Sequence, residues 1–116
     1  MKIICIVGQK GGIAKSTTAE AIIYGLRNKG KKVLGVDLDQ SANLTKHFLG
    51  DEFELDVFDL LSGKRSCKEV IKEDIVPGGN GLAYLTTFFE THKLDSLRTA
   101  LKPVENDYDY CIIDTP

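Results

Sequence analysis

The chain has 116 residues, 42% of them apolar and 28% charged, and its 15 Lys and Arg against 17 Asp and Glu leave a net charge of −2. That is the profile of one globular domain; no run approaches the roughly 18 consecutive apolar residues of a membrane span, and the start of the chain lacks the pattern of a signal peptide. Three cysteines, Cys5, Cys67 and Cys111, are widely spaced and form no CxxC pair, which predicts a reduced, cytoplasmic chain without zinc or cluster chemistry.

Ile3 to Val7 is a continuous apolar run of strand length that stops at Gly8, the pattern of a strand buried on both faces. After Lys15 the spacing becomes helical, with Ser16-Thr17-Thr18 at the start, Ala19, Ile22, Ile23 and Leu26 on one face, and Gly30 at the end. Lys32 to Val36 is a second strand, ending at Asp37, so the first third of the chain reads as one βαβ unit with parallel strands. Five carboxylates in residues 51–59 read as a solvated loop face, followed by a short helix to Leu61. Ser66-Cys67-Lys68-Glu69 matches a capping box and predicts another helix start. Pro77 to Gly81 is a turn cluster, Leu82 to Leu85 a short strand, and Leu94, Leu97, Ala100 and Leu101 mark a helix closed by Pro103. Tyr110 to Ile113 is the final buried strand. The order predicts an α/β fold with a mainly parallel sheet flanked by helices.

Charge is unevenly divided. Residues 1–50 carry eight basic and three acidic side chains, residues 51–116 seven and fourteen. No basic cluster is interleaved with aromatics, so the division itself does not mark a nucleic-acid surface.

The segment from Gly8 to Thr17 lies between the first strand and the first helix, where a phosphate-binding loop belongs. Glycines let successive backbone N–H groups face one concavity, a helix N-terminus adds partial positive charge, and a lysine neutralises phosphate oxygens. Ser16 supplies a hydroxyl for Mg²⁺. The strict G-x-x-x-x-G-K-[ST] pattern fails, because Gln9 and Ala14 occupy its two glycine positions. If position 14 required a positive φ, alanine would cost roughly 1–2 kcal/mol there; the expectation is a backbone compatible with a Cβ.

What matches is a deviant form with a second lysine at the start, Lys10-Gly11-Gly12-Ile13-Ala14-Lys15-Ser16, together with Asp37-Leu38-Asp39 after the second strand and Cys111-Ile112-Ile113-Asp114-Thr115-Pro116 at the end. In these motifs and their order the chain resembles the ParA/Soj/MinD-type deviant Walker ATPases, closest to the Soj-like chromosome and plasmid partition branch. The resemblance spans essentially the whole chain and implies a P-loop NTPase-type fold, here the N-terminal nucleotide-binding part of a single domain, residues 1–116, cut after the Walker B strand. It implies ATP and Mg²⁺ as ligands. Lys10 through Thr17 would contact the nucleotide: Lys10 as the signature lysine reaching across a sandwich dimer, Gly11, Gly12, Ile13 and Ala14 as backbone donors, Lys15 on the phosphates, then Ser16 and Thr17. Lys10, Lys15 and Asp39 would carry catalysis, with Asp39 orienting the attacking water. Ser16, Asp37 and Asp114 would serve the metal. The implied function is a slow ATPase that dimerises on ATP, binds DNA nonspecifically at the nucleoid, is stimulated by a ParB-like partner and does not associate with membrane. A MinD-type membrane-cycling ATPase and a nitrogenase iron-protein-like electron-transfer ATPase are the alternatives, distinguished by features beyond Pro116. As a fragment, the chain is expected to turn over ATP poorly and to self-associate through sheet edges.

Other reactive residues have ordinary readings. His47 and His92 have no carboxylate or cysteine at ligand spacing and read as surface residues. Cys5 and Cys111 fall on strands that can lie side by side, where buried thiols act as small apolar groups.

Overall fold

The apolar runs form strands β1 (Lys2–Ile6), β2 (Val33–Asp37) and β4 (Tyr110–Asp114), joined by a two-residue β3 (Ile75–Val76). The computed structural model describes residues 1–7, 13–79 and 95–115, with residues 13 and 14 given by their backbone. Among the described residues the four strands pair in parallel, in the order β1-β4-β2-β3. The two central strands, β2 and β4, are buried almost throughout, as continuous runs without polar alternation require.

The helices are α1 (Ile13–Asn28), α2 (Asn43–Leu49), α3 (Val57–Leu61), α4 (Cys67–Val70) and α5 (residues 95–101), the last running into a 3-10 turn, Lys102–Val104. α1 begins at Ile13, ahead of the Ser16-Thr17-Thr18 start expected from sequence. Ser16 does not cap this helix; it lies inside the first turn, and its hydroxyl is used elsewhere. The backbone at Ala14 is thereby helical, a conformation open to any L-residue, and the alanine in left-handed backbone is Ala42 (φ 53°) instead. The capping box at Ser66 and Glu69 forms as expected, and a second opens α3, where Asp56 accepts from Phe58 and Asp59. The expected strand at 82–85, His92 and the Leu94 end of α5 lie outside the described residues.

The sheet separates two apolar layers. Ala19 and Ile23 of α1 and Leu44 of α2 pack on Val33 and Ile112, while α3, α4 and α5 cover Leu34, Val36, Cys111 and Ile113 on the other face. Cys5 and Cys111 share this second layer; burial pushes the Cys111 thiol up to about 12, with the Cys5 sulfur adding to the shift. Both cysteines are free, in keeping with a packing role.

Gly35 lies against Ile75 of β3, Ile23 of α1 and Leu44 of α2. A Cβ there would meet Ile75 Cδ1 at 2.7 Å and Ile23 Cδ1 at 3.1 Å. Gly35→Val is expected to lower the unfolding free energy by about 1–3 kcal/mol through overpacking, measured by urea denaturation; an unchanged midpoint would show that this layer is looser than its geometry.

Candidate functional site

Parallel strands point their carboxyl ends the same way, and here Ile6, Asp37 and Asp114 lie level across β1, β2 and β4. The register therefore brings two aspartates from distant parts of the chain side by side at the end of the sheet where α/β folds bind ligands. Thr115 ties the rim together, its N–H and hydroxyl both donating to the Ile6 carbonyl at 3.3 and 2.8 Å.

α1 starts at Ile13 with no acidic residue in its first turn, and the positive end of a helix suits an anion. Lys15 reaches down from that turn. Its ammonium donates to Asp39 Oδ2 at 3.1 Å, to the Thr115 carbonyl at 2.5 Å and to Asp114 Oδ1, so all three of its protons are used. Ser16 Oγ donates to the other Asp114 oxygen at 2.8 Å. Asp114 is fully buried and Lys15 only 8% exposed. Burial pulls the Lys15 pKa down, but hydrogen bonds to Asp114 and Asp39 and their negative charges outweigh it, and the net shift is upward. The lysine is thus held as a cation in a nearly closed pocket.

Asp37 is arranged differently. Although level with Asp114, its Oδ2 accepts from the Thr45 hydroxyl at 2.7 Å and the Thr45 N–H at 2.9 Å, and its Oδ1 accepts from the Asp39 N–H at 3.1 Å. The carboxylate is turned toward α2, so the structure brings Lys15, Ser16, Asp39 and Asp114 into one hydrogen-bonded cluster and leaves Asp37 behind it. Burial drives the Asp37 pKa up to about 6 against the hydrogen bonds from Thr45 and Asp39, with the Asp114 charge pushing the same way as burial. A folded pKa above the unfolded one means this group favours folding at low pH, and that contribution is lost as pH rises through about 6. Relative to Asp37→Asn, the nucleotide-free protein is expected to lose on the order of 3 kcal/mol between pH 4 and pH 7. A pH-independent difference in urea denaturation would contradict this.

Lys10, Gly11 and Gly12 lie outside the described residues; Ile13 and Ala14 supply the first backbone of α1, and Thr17 is exposed on that helix. His47 does not approach the cluster. It faces α1, half-exposed, with Tyr24 Oη 2.9 Å from its Nε2, Glu20 Oε2 3.6 Å from its Nδ1 and Phe48 packed edge-on. Sequence reasoning missed Thr45 and Thr115. Thr45 sits on a helix that carries little sequence signal, and Thr115 directly follows Asp114.

The donor set suits Mg²⁺. Ser16 Oγ and Asp114 offer hard oxygen donors by the helix N-terminus, and no three His, Cys, Asp or Glu side chains converge among the described residues. Such a site suits an ion that keeps most of its waters and leans on substrate phosphates for the rest.

A family model described as an AAA domain matches residues 1–116. The chain belongs to that family. Its relatives include proteins of the ParA/Soj/MinD type. The sporulation initiation inhibitor protein Soj of Bacillus subtilis is 32% identical over 99% of this chain and 49% of its own length. The chromosome partitioning protein ParA of Myxococcus xanthus is also 32% identical, over 99% of this chain and 44% of its own. The cobyrinic acid a,c-diamide synthase of Mycobacterium smegmatis, solved with an ATP analogue and magnesium, superposes with a TM-score of 0.87 at 28% identity, over 98% of this chain and 50% of that one. The fold is that of a P-loop NTPase, and the chain spans about half the length of the curated relatives it matches. No described helix is long and apolar enough to cross a membrane.

Proposed function

We propose that residues 1–116 are the nucleotide-binding part of a single ATPase domain that works in chromosome or plasmid partition. The observation that carries this reading is the Lys15, Ser16, Asp39 and Asp114 cluster at the foot of α1, where a cation, a hydroxyl and two carboxylates from three separate motifs converge. The kinship with ParA and Soj supports the partition assignment over other uses of the fold.

In this reading Lys15 leaves its carboxylates and neutralises phosphate oxygens of ATP, while backbone donors of the loop from Lys10 to Thr17 cradle them. Ser16 and Asp114 hold Mg²⁺, which when bound withdraws charge from the phosphates. Asp39, released by Lys15, accepts a hydrogen bond from the attacking water and fixes its direction; positioning and charge neutralisation do most of the work in such a transfer. Asp37 stands behind Asp39 near the metal side. Lys10 reaches the nucleotide of a partner subunit, making ATP the trigger for a homodimer that binds DNA nonspecifically at the nucleoid until a ParB-like protein stimulates hydrolysis.

Calorimetric titration with ATP, with and without Mg²⁺, tests the core of this proposal. Binding that strengthens with Mg²⁺ and weakens sharply in Ser16→Ala is expected. Absence of nucleotide binding by a folded chain would overturn it.

A further inference from the structure

Behind the catalytic cluster lies a second chain of buried hydrogen bonds that the ATPase reading does not use. Thr45 Oγ1 donates to Asp37 Oδ2 at 2.7 Å and accepts the N–H of Gly78 at 2.7 Å. Asp37 in turn accepts the N–H of Asp39. Thr45 and Gly78 are both buried, Thr45 at 1% exposure, so neither the hydroxyl nor the glycine N–H has water as an alternative partner. The Pro77 carbonyl next to Gly78 accepts from the Val57 N–H at 2.7 Å, the first residue of α3. A continuous path of short bonds thus runs from Asp39, through Asp37 and Thr45, to the segment after β3 and the start of α3.

The Asp39 side chain has Lys15 as its cationic partner at 3.1 Å. When Lys15 turns to phosphate, that tether is lost; the Ser41 N–H on Oδ1 at 3.4 Å and the Ala42 N–H on the carbonyl at 3.0 Å hold residue 39 to its own turn, and its N–H on Asp37, whose orientation is set by the Thr45 hydroxyl and N–H, ties that turn to β2 and α2. We infer that Thr45 is a positioning residue for Asp39, and that through Gly78 it carries the nucleotide state of the site to the 77–79 segment and α3. The inference rests on the ATPase reading for its trigger, while its nucleotide-free part stands alone.

Amide NMR tests both parts. Without nucleotide, Thr45→Val, which keeps the shape and removes the hydroxyl, should speed hydrogen exchange at Asp39 by at least about tenfold relative to Ser16 and to the β4 amides, and Thr45→Ser should restore it. With Mg²⁺-ATP, the Gly78 amide of the unaltered chain should shift along with those of Ser16 and Asp39. In Thr45→Val the Gly78 response should vanish while the nucleotide Kd read at Ser16 stays within about threefold. A purely structural role would move all amides together and would not separate Gly78 from Ser16. Equal exchange at Asp39 in Thr45→Val, or a Gly78 amide indifferent to nucleotide in the unaltered chain, overturns the inference; the latter holds even if Thr45→Val does not fold. If the Ser16 amide itself ignores Mg²⁺-ATP, the ATPase reading is what fails, and the nucleotide-free exchange at Asp39 still decides the role of Thr45.

Discussion

Lys15→Ala is expected to produce two large effects of separate origin. Without the ammonium, Asp114, fully buried, and Asp39 face each other with no cation between them. Breaking a buried ion pair by removing one partner costs about 3–5 kcal/mol, so the nucleotide-free chain should unfold at markedly lower urea. Part of that loss should return on acidification, as one of the stranded carboxyls takes up a proton. ATP affinity should also fall by at least about a hundredfold, because the phosphate oxygens lose the one buried cation among the described residues that faces them. Calorimetry on the folded fraction checks the second effect. Lys15→Met, which keeps the aliphatic stem, separates the loss of charge from the loss of packing. ATP binding unchanged in either variant would remove Lys15 from the phosphate site.

The second large effect concerns Asp114→Asn. The amide oxygen can still accept the Ser16 hydroxyl, yet the charge that faces Lys15 and that would serve Mg²⁺ in the proposed function is gone. Asp39 remains as a partner for Lys15, so the loss of stability should be smaller than for Lys15→Ala, about 1–3 kcal/mol. The diagnostic change is in metal dependence. The unaltered chain should bind ATP more tightly as Mg²⁺ is added, and Asp114→Asn should bind it almost equally with and without the ion. A full Mg²⁺ effect in the variant would show that the ion is held elsewhere.

Much of this site is legible in the sequence. The loop between a β-branched run and an amphipathic helix places Lys15 and Ser16, and Asp39 and Asp114 are marked by the resemblance to deviant Walker ATPases. β2, β4, α1 and α4 follow from apolar runs, helical spacing or a capping box; β1 forms from its run but ends the described strand order with Ile4 and Val7 exposed rather than buried on both faces, and α3 opens on an Asp56–Asp59 capping box that sequence reasoning did not mark. Where local pattern is thin, the sequence does not reveal the element. α2 is seven residues long and opens on Ala42 in left-handed backbone, with no side-chain cap. β3 is two residues, defined only by pairing Ile75 and Val76 with Gly35 and Val36. Asp37 shows the same limit at the level of the site. Its place beside Asp114 follows from the parallel register, but the direction of its carboxylate depends on Thr45, contributed by the helix that local pattern does not mark.

The exchange of partners at Lys15 is the step on which the functional reading turns, and nitrogen-15 NMR of the Lys15 ammonium observes it directly. In the free chain the ammonium should give a slowly exchanging signal, as its three hydrogen bonds to Asp39, Asp114 and Thr115 require. On saturation with Mg²⁺-ATP that signal should move, with the Asp39 and Asp114 carboxyl carbons shifting at the same nucleotide concentration. An ammonium signal that stays in place while the Ser16 amide titrates would mean that Lys15 keeps its carboxylates and never reaches the phosphates.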